Sequence, residues 1–155
     1  MEDKVIYCLG FLFSPGFGNV ALIEKKKPLW QEGKLNGLGG IVSPNESPLE
    51  AMKFKFYEES GVQIDSWQQF CLLEGNGFLV HCYYAESQNI IHITQQTGTK
   101  GTERPDLYSC ISVFEGFRRT VDNVPWLMSM AISVARNQCR AYEFKVTESA
   151  RRDVQ

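Results

Sequence analysis

The stretch "LNGLGGIVSPNESPLEAMKFKFYEESGV", residues 35–62, sets three glycines ahead of a helix-forming run that closes on paired acids. Gly37, Gly39 and Gly40 permit either close backbone approach to a ligand or simply a tight strand-to-loop turn. A helix is expected over residues 47–60. Ser47 suits the N-cap, Pro48 the first helical position, and Glu50 completes a capping box. Gly61 stands where a left-handed C-terminal residue is favoured. Leu49, Met52 and Phe56 are expected to form the inward face. Lys55, Glu58 and Glu59 fall at i, i+3 and i+4, hence together on one face. Two close carboxylates are unfavourable unless a cation neutralises them. In an enzyme that cation would be magnesium, shared with phosphate oxygens and water.

At 155 residues the chain suits one domain, expected over residues 1–147 with a loose tail over 148–155. A net charge of −2 provides no overall field for nucleic acid or anionic membrane, so neither is expected as a partner. The five cysteines are scattered, contain no CxxC pair and do not space into a zinc site with His81 and His92. Four lie in apolar runs and read as buried free thiols, which favours a reducing, cytoplasmic location. The run "VIYCLGFLF" is too short to span a bilayer and follows two acids, so it is expected to be a buried strand.

Outward from the opening stretch, residues 5–13, 19–25, 67–73 and 78–85 read as strands, the last two joined by the hairpin signal "EGNG". Short strands are also expected over 90–94 and around 108–113, and a second helix over 124–142. The lysine triplet at 25–27 reads as a solvated edge. Residues 95–106 are a polar loop and a candidate mobile segment near a ligand. Strands interleaved with two helices suggest a mixed sheet flanked by helices.

The opening stretch resembles the Nudix box, G-x5-E-x7-R-E-U-x-E-E-x-G-U, where U is a bulky aliphatic residue. Gly40 opens it, Glu46 follows after five residues, Phe56 fills the bulky position, Glu58 and Glu59 are the acid pair, and Gly61-Val62 close it. "VALIEKKKPLWQEGKLNGLGG" and "NVPWLMSMAI" are similar to segments of small Nudix hydrolases acting on nucleoside triphosphates, including oxidised purine nucleotides. The resemblance implies an α/β fold, a mixed β-sheet sandwiched between α-helices. It implies magnesium held by Glu46, Glu58 and Glu59, with Glu58 and Glu59 catalytic if the protein is active. Asn36 matches an asparagine that helps hold the base in relatives with W-N-G-F-G-G; a plain turn residue is the other reading.

The register is intact, but Phe54 and Lys55 stand where the family has Arg-Glu, whose glutamate is a principal metal ligand. An ammonium cannot ligate magnesium and repels it. In a cleft it can instead face a phosphate. Hydrolysis depends on metal far more than nucleotide binding does. Three readings follow. The first is a nucleotide-binding protein that senses or sequesters its ligand with hydrolysis lost or strongly reduced. The second is a hydrolase with an altered metal site, acting on a nucleoside diphosphate linked to another group or on (oxidised) nucleoside triphosphates. The third is a scaffold that lost its ligand. Further candidate contacts are Gly39, Gly40 and Lys55, Phe17 and Trp30 for stacking, Lys100 and Arg104 for phosphate, and Trp126 at the last helix. The aromatics also read as core anchors and the charges as solvated. Nudix relatives are often dimers, so a homodimer is compatible.

Overall fold

The computed structural model describes residues 3–93, 103–140 and 145–147. β1 (Val5–Phe13) is apolar almost throughout because both of its faces are covered. Phe11 and Phe13 enter one core, while Cys8 and Leu12 enter the other. The same alternation sorts Val20 and Leu22 from Ala21 and Ile23 on β2 (Asn19–Glu24). On β6 (Phe78–Glu86) it separates Cys82 and Tyr84 from Tyr83 and Ala85. Ala51, Met52 and Phe56 of α1 (Pro48–Ser60) close one core. α2 (Cys110–Phe114) and α3 (Val124–Ala135) close the other through Cys110, Val113, Leu127, Met128 and Ala131. A mixed sheet thus lies between helices, as expected. Phe56 is fully buried and edge-on to Trp67, with centroids 5.0 Å apart. Burying such a ring contributes about 1.5–3 kcal/mol.

With β3 (Leu35–Asn36), β4 (Leu38–Ile41), β5 (Gln68–Gly75), β7 (Pro105–Ser109) and β8 (Lys145–Thr147), the sheet runs β3-β2-β1-β6-β5-β8. β1 and β6 pair in parallel from Val5↔Phe78 to Phe13↔Glu86. The other edge of β1 is divided. Its C-terminal end pairs with β2 at Leu12↔Ala21 and Phe13↔Val20, and its N-terminal half pairs with β4 from Gly10↔Leu38 to Tyr7↔Ile41. β2 then turns away to pair with β3 and β7, leaving a fork in the sheet.

α1 follows its sequence signals. Ser47 Oγ accepts from the Glu50 amide at 3.1 Å, and Gly61 takes φ 75°. Its inward face is shifted from expectation, because Leu49 is 37% exposed while Ala51 and Ser60 are buried beside Met52 and Phe56. Ser60 remains in the core because its hydroxyl donates to the Phe56 carbonyl at 2.6 Å.

Two expected strands are helical turns. Residues Gln88–His92 form a 3-10 turn capped by Ser87, which buries Ile90 and Ile93 three apart and exposes Ile91. β7 stops at Ser109, whose hydroxyl caps α2, again burying residues three apart, Cys110 and Val113. α3 ends at Ala135, well short of residue 142. Asn137 adopts φ 58°, and the Gln138 and Asn137 amides donate to the Ser133 and Val134 carbonyls in a Schellman arrangement. Cys8, Cys71, Cys82 and Cys110 are buried free thiols. Among the described residues no helix is long and apolar enough to cross a membrane.

Candidate functional site

The fork in the sheet opens a cavity of about 630 Å³. Tyr7 and Leu9 of β1, Val80 and Phe78 of β6, Leu73 of β5 and Val121 supply its apolar wall. Its polar lining includes Lys25, Gln31, Asn36, Asn76 and Asn123, with Trp30 at the rim and 43% exposed. Mostly apolar walls carrying a few placed polar groups are the usual composition of a small-molecule site, and the volume lies in the usual range.

Gly39 and Gly40 form the end of the cavity nearest α1. Gly39 has φ 153°, and a Cβ there would run into the Cys8 carbonyl. Only glycine lets β4 lie this close to β1 in that conformation. The Gly39 amide donates to Glu59 Oε1 at 3.2 Å, so the helix acid is drawn under the glycine turn. Burial pushes Glu59 up to about 7, against the Gly39 amide, Lys25 and Lys55, all of which favour its charged form.

Lys55 lies against Gly40. A Cβ built there would be 3.0 Å from its Cδ, 3.2 Å from its Cε and 3.7 Å from its Nζ. The ammonium therefore stands at the glycine turn beside the helix acids. Cys8 lies behind the same turn; burial raises its thiol, although the Gly40 backbone and Lys55 oppose the shift.

The candidate residues thus separate into groups. Asn36, Gly39, Gly40 and Trp30 line one cavity, and Lys55 and Glu59 flank its glycine end. Phe17 does not join them. It packs edge-on against Phe13 at 5.3 Å, with the Arg136 guanidinium over its ring at 5.5 Å, and so belongs to the α3-side core. Trp126 is 37% exposed on α3 and does not line the cavity. Lys100 lies outside the described residues. Arg104 is described but does not line the cavity; its neighbour Glu103 is the informative residue there.

Glu103 was not anticipated from sequence. It accepts from the Lys26 amide at 2.6 Å and from Lys25 Nζ at 3.3 Å, fixing a cation in the cavity wall. Burial alone would raise its carboxyl, but these partners outweigh that and hold it below the ordinary value. The lysine triplet is therefore not only a solvated edge. No local pattern announces a pairing across 78 residues.

The residues present do not fit the divalent-ion site that the sequence resemblance implies. Glu46 Oε1 accepts from the Ser43 amide at 3.0 Å, Glu58 is exposed, Glu59 is tied to Gly39, and Lys55 brings a positive charge to the turn. Among the described residues no group of three or more His, Cys, Asp or Glu is placed to hold a metal ion.

Comparison of the whole chain with solved structures decides the architecture. A mutT/nudix family protein from Listeria innocua superposes with a TM-score of 0.69 over 89% of this chain and 98% of its own, at 13% identity. The fold is the Nudix fold. A NUDIX-family hydrolase from Clostridium perfringens gives a TM-score of 0.67 at 17% identity, covering 85% of this Nudix-fold chain and 98% of the hydrolase. The NUDIX domain of Shewanella oneidensis NrtR, complexed with ADP ribose, gives 0.69 at 15% identity, with coverage of 89% and 90%. NrtR complexed with a 27mer DNA gives 0.67 at 15% identity over 87% of this chain and 63% of that one. A protein containing this fold is therefore seen on DNA, which runs against the expectation, drawn from net charge, that nucleic acid is excluded as a partner. No family model matches the sequence, and no curated protein matches it.

Proposed function

We propose that this Nudix-fold protein binds a nucleotide or nucleotide-derived signal and hydrolyses it slowly or not at all, so that it senses or sequesters its ligand. The observation that carries the reading is the position of Lys55, lying along Gly40 at the glycine end of the cavity. An ammonium there meets a phosphate without a metal ion, the glycine turn allows close approach, and Trp30 offers a ring for stacking at the rim. The ADP-ribose complex of a neighbour with this fold agrees with a nucleotide-sized ligand. Buried free thiols agree with a reducing, cytoplasmic location.

A second reading is a magnesium-dependent hydrolase with an altered metal site. Glu58 and Glu59 favour it, since both acids are retained and burial places Glu59 near neutrality. A thermal-shift screen of nucleotides, nucleotide sugars and dinucleotides, with and without magnesium and with product analysis, separates the two. Stabilisation in EDTA without turnover is expected. Metal-dependent release of pyrophosphate or monophosphate at ordinary enzyme rates would transfer the assignment to the hydrolase.

A further inference from the structure

We infer that Gln31, together with Asn36, makes the cavity select a 6-oxopurine over a 6-aminopurine; the inference rests on the nucleotide reading above. Its basis is the direction of a short chain of hydrogen bonds. The Gly37 backbone N–H, which can only donate, meets the Asn36 side chain at 2.8 Å, so the atom it faces is Oδ1. The other end of that amide is therefore NH2. This NH2 donates to the Gln31 side chain at 3.3 Å, so it meets Oε1, and the Gln31 amide in turn ends in NH2. One backbone donor thus fixes both side-chain orientations.

Both residues line the cavity and both are held by their backbones. Gln31 closes the 3-10 turn Leu29–Gln31. Its own amide donates to the Pro28 carbonyl at 2.9 Å, and its carbonyl accepts from the Lys34 amide at 2.9 Å. Asn36 is paired with Ile23 across β3 and β2. The chain leaves one N–H on Asn36 and two on Gln31 for a ligand, so the two residues present neighbouring donors. A 6-oxopurine carries two neighbouring acceptors, O6 and N7, on one edge. A 6-aminopurine places an amino donor beside N7, which would oppose a donor of the protein. A half-buried donor left facing a donor forfeits its hydrogen bond and meets a like dipole, so the contrast is about ten-fold in affinity.

The test is isothermal titration in EDTA of guanosine, inosine and adenosine 5′-diphosphates against the full chain. Guanosine and inosine diphosphates are expected to bind about ten-fold tighter than adenosine diphosphate. Inosine lacks the 2-amino group, so its agreement with guanosine assigns the preference to the O6 and N7 edge. Gln31→Glu keeps the shape and the Asn36 contact but turns the remaining donors into acceptors; the ratio should fall to about one or invert. Gln31→Met removes the two Gln31 donors without adding charge and should lower the ratio toward one. Unchanged melting temperatures without ligand establish that both variants fold. Equal or tighter binding of adenosine diphosphate by the native chain overturns the inference while leaving the nucleotide reading standing. So does a guanosine preference that survives both substitutions. Binding of none of the three overturns the inference, and the wider screen above then decides the nucleotide reading.

Discussion

Replacing Lys55 by glutamate, together with Phe54→Arg, tests whether the ammonium at the glycine turn is what keeps a divalent ion from the helix acids. The change places three carboxylates at i, i+3 and i+4, with Glu59 already strained by burial. Each new like-charge neighbour costs about 0.2–0.5 kcal/mol, and the lost Lys55 attraction costs about as much. Phe54 is 59% exposed, so its replacement adds little. The double variant should therefore be about 1 kcal/mol less stable than the native chain in EDTA, a fall of about 3 °C in melting temperature for a protein of this size. Magnesium at ten times its dissociation constant would return about 1.4 kcal/mol, or about 4 °C, to the variant alone. Differential scanning fluorimetry in EDTA and in a magnesium series reads both shifts. A variant as stable as the native chain in EDTA and indifferent to magnesium would refute the reasoning. The carboxylates would then not converge even after the ammonium is removed.

Two further outcomes follow from the same geometry. Glu59 has its folded pKa raised from 4.5 to about 7 by burial, so the folded state holds the proton more firmly. Its stabilising contribution is complete below about pH 4.5 and is lost as pH rises through 7. Glu59→Gln should therefore exceed the native chain in stability at pH 8, by up to roughly 3 kcal/mol, and lose that advantage at pH 4.5, read by urea unfolding at both values. Trp30→Ala should weaken nucleotide binding by about 1–3 kcal/mol with little change in melting temperature. Phe17→Ala should do the reverse, since Phe17 packs against Phe13 and Arg136 away from the cavity. Equal effects of the two aromatic substitutions on affinity would contradict the placement of the cavity.

The strands that carry the core were legible because burial on both faces writes itself as continuous apolar runs, as in β1 and β6. α1 was legible through its caps, Ser47 and Gly61. The misread segments, around Ile90 and Cys110, are short helical turns. Over four or five residues a spacing of three is hard to tell from alternation, and a serine cap decides the matter locally. At the site, the helical spacing that puts Lys55 and Glu59 on one face of α1 is what brings them to Gly40 and Gly39. Of the two readings open for Phe17, stacking on a ligand or packing on the core, its edge-on contact with Phe13 matches the second. Glu103 escaped notice because its partner Lys25 lies 78 residues away in the sequence.

That fork has a consequence for how the protein can change. The width of the opening is set by main-chain ladders, β1 with β2 at one end and with β4 at the other, and these do not depend on which side chains look into the gap. Gln31 and Trp30 sit on a short turn, and neither is a member of the two hydrophobic cores. Selectivity can therefore drift by single substitutions at the rim while folding stability stays constant, and one frame can be retuned to new ligands without passing through an unstable intermediate.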